Sequence, residues 1–135
     1  MKKVFRWAVT ALVVCTVTIV LSFLFTGVPL LGTPKVDNID CVVVEHSDYP
    51  DEVKEYTDEY YIKLAEALLG YLRYSPLKGL TDDTPIIQIT YIMDDGTEIV
   101  VKANDTTVWW NGKARAIQDE GMFVKMCTAM FYLQQ

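Results

Sequence analysis

The sequence predicts an α+β fold on a membrane tether: an N-terminal transmembrane helix, then a strand, a helix, a four-stranded antiparallel meander and a last helix, with the helices packed on one face of the sheet. Three observations carry this expectation. Residues 7–25 contain no charge; three turn sequences, Asp94-Asp95-Gly96, Asn104-Asp105 and Asn111-Gly112, cut the second half of the chain into short runs; and two segments of helical period flank those runs.

The tether comes first. Met1 to Arg6 is a basic head, and only Thr10, Thr16, Thr18 and Ser22 interrupt the apolar run from Trp7 to Phe25. At about 1.5 Å per residue this run approaches the roughly 30 Å hydrocarbon core of a bilayer. Cations before the span and none for many residues after it put the N-terminus in the cytoplasm and the rest outside. A cleaved signal peptide has a shorter apolar core and small residues at −3 and −1, whereas the best cut here, after Gly27, puts Phe25 at −3. Lipidation at Cys15 is disfavoured by Val14 before it and by the apolar run continuing past it. The expected organisation is a cytoplasmic head over 1–6, an anchor over 7–27, a Gly/Pro linker over 28–35 and an extracytoplasmic domain over 36–135. Such a linker keeps the domain within roughly 25 Å of the bilayer.

Within the domain, Ile39 to Glu45 reads as a strand with Ile39, Cys41 and Val43 on one face. Pro50, followed by Asp51 and Glu52, suits a helix start, and steps of about 100° gather Val53, Tyr56, Tyr60, Leu64, Ala67, Leu68 and Tyr71 into one inward stripe. Ile62 and Leu69 then fall on the far side, with Ala65 between them. Pro76 and Gly79 end the helix near Tyr74.

Register follows from matching apolar faces. A three-residue loop at Asp94-Asp95-Gly96 sets Tyr91, Ile89 and Ile87 against Ile99, Val101 and Ala103, with Gly96 in a left-handed bulge position. A two-residue turn at Asn104-Asp105 pairs Val101 with Val108 and Ile99 with Trp110. Across Asn111-Gly112 the same face receives Lys113 and Arg115, which suits a charged edge strand. Gly121 to Leu133 closes the chain as a helix with Phe123, Met126, Cys127 and Met130 inward.

This order of elements, with the Val108-Trp109-Trp110-Asn111-Gly112 turn ahead of a Met/Phe-rich last helix, resembles the membrane-tethered extracytoplasmic domains of unknown function found in Gram-positive bacteria. The resemblance lies in layout across most of the chain. It implies a location and no chemistry.

Charge narrows the function classes. Beyond the head there are nine cations against eighteen acids, a net of −9. That disfavours nucleic acid, whose affinity comes from Lys and Arg neutralising phosphates, and a peripheral grip on anionic lipid. One His and three Cys exclude a disulfide-dense scaffold and a multi-His metal centre. No cofactor is expected. His46, Ser47 and Asp48 are neighbours in sequence, but neighbours in an extended segment point to opposite sides, so His46 is expected to be a solvated loop residue. Cys41 and Cys127 both fall on expected core faces and are either a disulfide or two buried thiols. The acids Glu45, Asp48, Asp51, Glu52, Glu55, Asp58 and Glu59 are expected to form a solvated face, with a Ca²⁺ site or a surface for a cationic partner as the other reading.

Alternation sends Trp110 into the core and Trp109 outward, beside Asn111. An outward tryptophan is a common interface anchor. The candidate interaction surface is therefore Trp109 with Asn111, and secondarily Ile62 with Leu69. The expected function is a non-enzymatic interaction or sensory domain binding a protein or peptide near the membrane. Cell-wall carbohydrate or small-ligand binding is the alternative, and hydrolysis is disfavoured because only His46 offers itself.

Overall fold

A computed structural model of the chain describes residues 1–30, 32–80, 84–110 and 112–133. The apolar run forms a single helix, α1 (Lys2–Thr26), long and apolar enough to cross a membrane, with none of its hydrophobic window buried against protein. Three of its hydroxyls are satisfied within the helix, Thr16, Thr18 and Thr26 donating to the carbonyls of Leu12, Val14 and Ser22, one turn back.

After α1 the Gly/Pro segment docks. Gly27 takes φ +87°, Val28–Pro29 (β1) pairs antiparallel with Arg73–Tyr74 (β4), and Leu30 is buried. The main sheet has six antiparallel strands: β2 (Ile39–His46), β3 (Lys54–Tyr56), β5 (Ile87–Met93), β6 (Glu98–Ala103), β7 (Thr107–Trp110) and β8 (Lys113–Ala116), in the order β3-β2-β5-β6-β7-β8. Two helices complete it, α2 (Glu59–Tyr71) and α3 (Met122–Phe131). The core gathers Val42, Val44, Ile89, Tyr91, Val101, Val108 and Trp110 of the sheet with Ile62, Ala65, Leu68 and Leu69 of α2 and Phe123, Val124, Cys127 and Phe131 of α3. Tyr91, fully buried, ties sheet to helix by donating its hydroxyl to the Ala65 carbonyl at 2.7 Å.

The β5–β6 register is the one that keeps an apolar face: Ile87, Ile89 and Tyr91 stand opposite Ala103, Val101 and Ile99. The turn closes with Gly96 at φ +88° and the Gly96 amide on the Met93 carbonyl, while Asp95 accepts from the Thr97 amide and hydroxyl.

Four expectations need correction. The helix does not begin at Pro50. Lys54–Tyr56 pairs with Val42–Val44 as an edge strand, and Asp58 caps α2 by accepting from the Tyr61 amide. With that later start the inward stripe is Ile62, Ala65, Leu68 and Leu69, while Tyr60 and Tyr71 lie exposed. Ile62 and Leu69 are thus core rather than a far face. In β2 a register shift between Ile39 and Cys41 moves the inward set to Val42, Val44 and His46, which carries Cys41 and Val43 to the opposite face. Finally, the β6–β7 turn falls one residue later than expected. Val101 pairs with Trp110 and Ala103 with Val108, because the Asn104 side chain accepts from the Thr106 and Thr107 amides and fixes the turn around Asp105-Thr106. The shift is by two in pairing, so side-chain parity is kept and Trp110 stays inward.

Candidate functional site

The inward-facing residues of the sheet share the core with α2 and α3, and the residues of opposite parity form two cross-strand rows. Val43, Thr90 and Val100 align in one; Glu45, Gln88, Lys102, Trp109 and Ala114 align in the next. The register alone places Trp109 beside Lys102 and Ala114. Its ring is half-buried and lines a hollow of about 340 Å³ with Pro85, Val100, Lys102 and Gly112, whereas its neighbour Trp110 is only 5% exposed. Alternation within one short strand therefore splits the two tryptophans between core and surface. Asn111, the companion residue expected at this site, lies outside the described residues. Ile62 and Leu69 do not join the site, being 5% and 1% exposed on the buried side of α2.

On the same outer face Cys41 donates its thiol to Glu55 Oε1 at 3.5 Å. Burial and the Glu55 carboxylate push that thiol pKa up, so it stays protonated and unreactive. Cys127 belongs to the core on the other side, and burial raises its thiol pKa strongly. Both are free thiols, and a sheet stands between them. The acids of 45–59 are dispersed: Glu59 pairs with Lys63 at 2.9 Å, Glu52 lies 3.9 Å from Lys54, and Asp58 is spent on the cap. Among the described residues no group of three or more His, Cys, Asp or Glu is arranged to hold a metal.

The site that sequence reasoning missed is around His46. Expected to be solvated, it is 5% exposed at the inward end of β2. Its ring meets Tyr49 and Tyr132 edge-on at 5.2 and 5.3 Å, and those two rings stack on each other at 4.8 Å. Nδ1 accepts from the Asp48 amide at 3.1 Å, which assigns the proton to Nε2, 3.0 Å from Thr128 Oγ1 on α3. The Thr128 hydroxyl in turn donates a hydrogen bond to the Val124 carbonyl at 2.8 Å. The imidazole therefore donates to the hydroxyl instead of receiving from it, the reverse of a base activating a nucleophile. Burial lowers the His46 pKa, with Asp48 opposing. Tyr132 donates to the carbonyls of Val44 and Glu52, and its own pKa is pushed up to about 12 by burial and by neighbouring Tyr56, Glu52 and Glu45. A hollow of about 270 Å³ opens beside this cluster, lined by residues of 45–53 and 85–88. The signal was present in the sequence as parity: His46 shares its side of the strand with Val42 and Val44.

No family model, curated protein or solved structure matches the chain.

Proposed function

We propose that the chain is a single-pass, membrane-anchored protein, N-terminus in the cytoplasm, whose extracytoplasmic domain binds a protein or peptide close to the membrane without catalysing a reaction. The anchor reading is supported by the length and hydropathy of α1 and by the cations Lys2, Lys3 and Arg6 ahead of it. The binding reading rests on one observation, the partly exposed ring of Trp109 on the sheet face opposite the core. Tryptophan on such a face offers large contact area at low entropic cost. The non-enzymatic reading is supported by His46, whose two ring nitrogens are both committed to structural hydrogen bonds.

A second reading, recognition of a cell-wall carbohydrate, is favoured by the polar companions of Trp109, since Lys102 and Gln88 lie in its row. The test is affinity capture from membranes with the anchored protein and with Trp109→Ala, alongside a glycan array. Capture that depends on Trp109 supports the first reading and glycan binding that depends on it supports the second. A folded Trp109→Ala protein that retains every ligand of the native chain sinks both. For topology, a C-terminal alkaline phosphatase fusion is expected to be active, and an inactive, cytoplasmic fusion rejects the orientation.

A further inference from the structure

The end of α1 is clasped by the domain rather than released into a spacer. Gln118 Nε2 donates to the Phe25 carbonyl at 2.9 Å, and Arg73 Nη1 donates to the Gly27 carbonyl at 3.3 Å. The fit is close enough that a Cβ on Gly27 would lie 3.0 Å from the Cβ atoms of both Arg73 and Gln118. Two oriented hydrogen bonds and the β1–β4 pairing thus hold the domain against the last turn of the helix.

That clasp fixes a height. The uncharged stretch Trp7–Phe25 is about 28 Å long as a helix, no more than the hydrocarbon core requires. Phe25 must then stand at the hydrocarbon boundary, and Gln118, one hydrogen bond from it, stands in the headgroup layer. Lys78 Nζ reaches the Gln118 carbonyl at 2.7 Å, so the turn that carries Leu77 is one lysine side chain from the same point. Arg73 also shares a groove with Tyr71 and Met122. Near the foot of the helix the domain therefore presents large apolar side chains to its surroundings, Leu77 being 72% exposed, Tyr71 70% and Met122 53%, and Leu80, 57% exposed, follows Lys78 by two residues in the chain.

We propose that this base is a second membrane contact, in which Leu77, Leu80, Tyr71 and Met122 rest in the bilayer interface around the exit of α1. The proposal rests on the anchor reading given above. The occupant is the lipid surface because the helix that supplies the clasp leaves the hydrocarbon at the same level, and lateral apolar groups at that level meet acyl chains and headgroups first. Apolar insertion, not charge, carries the contact: the domain is acidic, and Lys78 already has Glu120 at 3.9 Å.

The test uses the full chain with Cys15→Ser in phosphatidylcholine liposomes, Cys41 and Cys127 being buried, with one cysteine at a time added at Leu77, Leu80, Met122, Val17 or Lys102 and labelled with an environment-sensitive fluorophore, the unsubstituted Cys15→Ser chain serving as the labelling blank. Blue-shifted emission at 77, 80 and 122 that is lost to nitroxide-bearing lipids, beside a water-like signal at 102, is the expected result. A lipid-quenched label at 17 with water-like labels at 77, 80 and 122 overturns the membrane contact and leaves the anchor standing. A water-exposed label at 17 overturns the anchor and this contact with it.

Discussion

The facing of α2 can be tested with two substitutions whose consequences reverse between the sequence pattern and the structure. Leu69 is 1% exposed and Tyr60 is 66% exposed, although a helix begun at Pro50 would bury Tyr60 and expose Leu69. Leu69→Ala removes roughly three buried carbons, about 2.4 kcal/mol at about 0.8 kcal/mol per CH₂. The cavity left between α2 and the sheet raises the expected cost to about 3–4 kcal/mol, inside the range measured for buried leucines. Tyr60→Ala gives up a surface edge contact with Tyr61 and should change stability by no more than about 0.5 kcal/mol. The assay is urea unfolding of the full chain in detergent micelles, followed by tryptophan emission, since Trp110 reports on the core directly. Equal losses for the two variants, or a larger loss for Tyr60→Ala, would refute the assignment of Ile62, Ala65, Leu68 and Leu69 as the inward stripe.

The remaining predictions concern backbone, protonation and the paired tryptophans. Gly96→Ala should cost about 1 kcal/mol or more because φ is +88° although space is open around it, whereas Gly70→Ala in α2, with ordinary φ and open space, should stabilise by about 0.5–1 kcal/mol; denaturant midpoints decide the pair. Because the folded-state pKa of His46 is lowered, its contribution is fully present above its ordinary value near 6.5 and declines as pH falls below it, since the unfolded chain takes the proton more readily. Unfolding midpoints measured from pH 7.5 to 5.5 should drop on the acid side in the native chain and flatten in His46→Gln; the same slope in both chains would remove His46 as the cause. Trp110→Ala should cost about 3–5 kcal/mol, while Trp109→Ala should leave near-native circular dichroism and a small shift in midpoint; a Trp109 variant that unfolds like Trp110→Ala would make both rings structural.

What was legible in the sequence followed from constraints with a single solution. Only one register across Asp94-Asp95-Gly96 sets three apolar residues against three, and the chain adopts it. The split of Trp109 from Trp110 needed only strand alternation, which survives a turn displaced by one position as long as the pairing moves by two. The illegible parts were those decided by local polar chemistry. Pro50-Asp51-Glu52 looks like a helix start, and a strand of three residues at Lys54–Tyr56 has too little pattern to contest it. The capping Asp58 sits inside a run of acids whose pattern suggests only surface charge. A tyrosine is apolar by helical period alone, so Tyr60 and Tyr71 pull the expected stripe to the wrong side. His46 falls just past a strand read as ending at Glu45 and so looks like a loop residue, whereas the strand runs on to His46 and the shift between Ile39 and Cys41 turns it inward with Val42 and Val44.

The clasp also bears on how the sheet face would operate. β8, the strand beside Trp109, runs from Lys113 through Ala114, the partner of Trp109, and the chain continues through Ile117 to Gln118, which holds the Phe25 carbonyl. Four residues of extended chain, about 13 Å, separate Ala114 from that hydrogen bond. Trp109 is therefore linked to α1 by a hydrogen-bonded ladder and not by a flexible spacer. On the proposed anchored-binder reading, a partner bound there would be met at one height and in one orientation, which would favour a partner itself fixed in the membrane over one diffusing freely, because the entropy of positioning is already removed from both sides. The same rigidity makes Gly27 the position to perturb. Gly27→Ala forces a Cβ against Arg73 and Gln118 and penalises φ +87°, so it should loosen the domain from the helix while leaving the sheet intact. Partner capture that falls in Gly27→Ala as it does in Trp109→Ala, with unchanged near-ultraviolet circular dichroism, would show that recognition depends on the height the clasp sets. Undiminished capture in Gly27→Ala would show that Trp109 works without it.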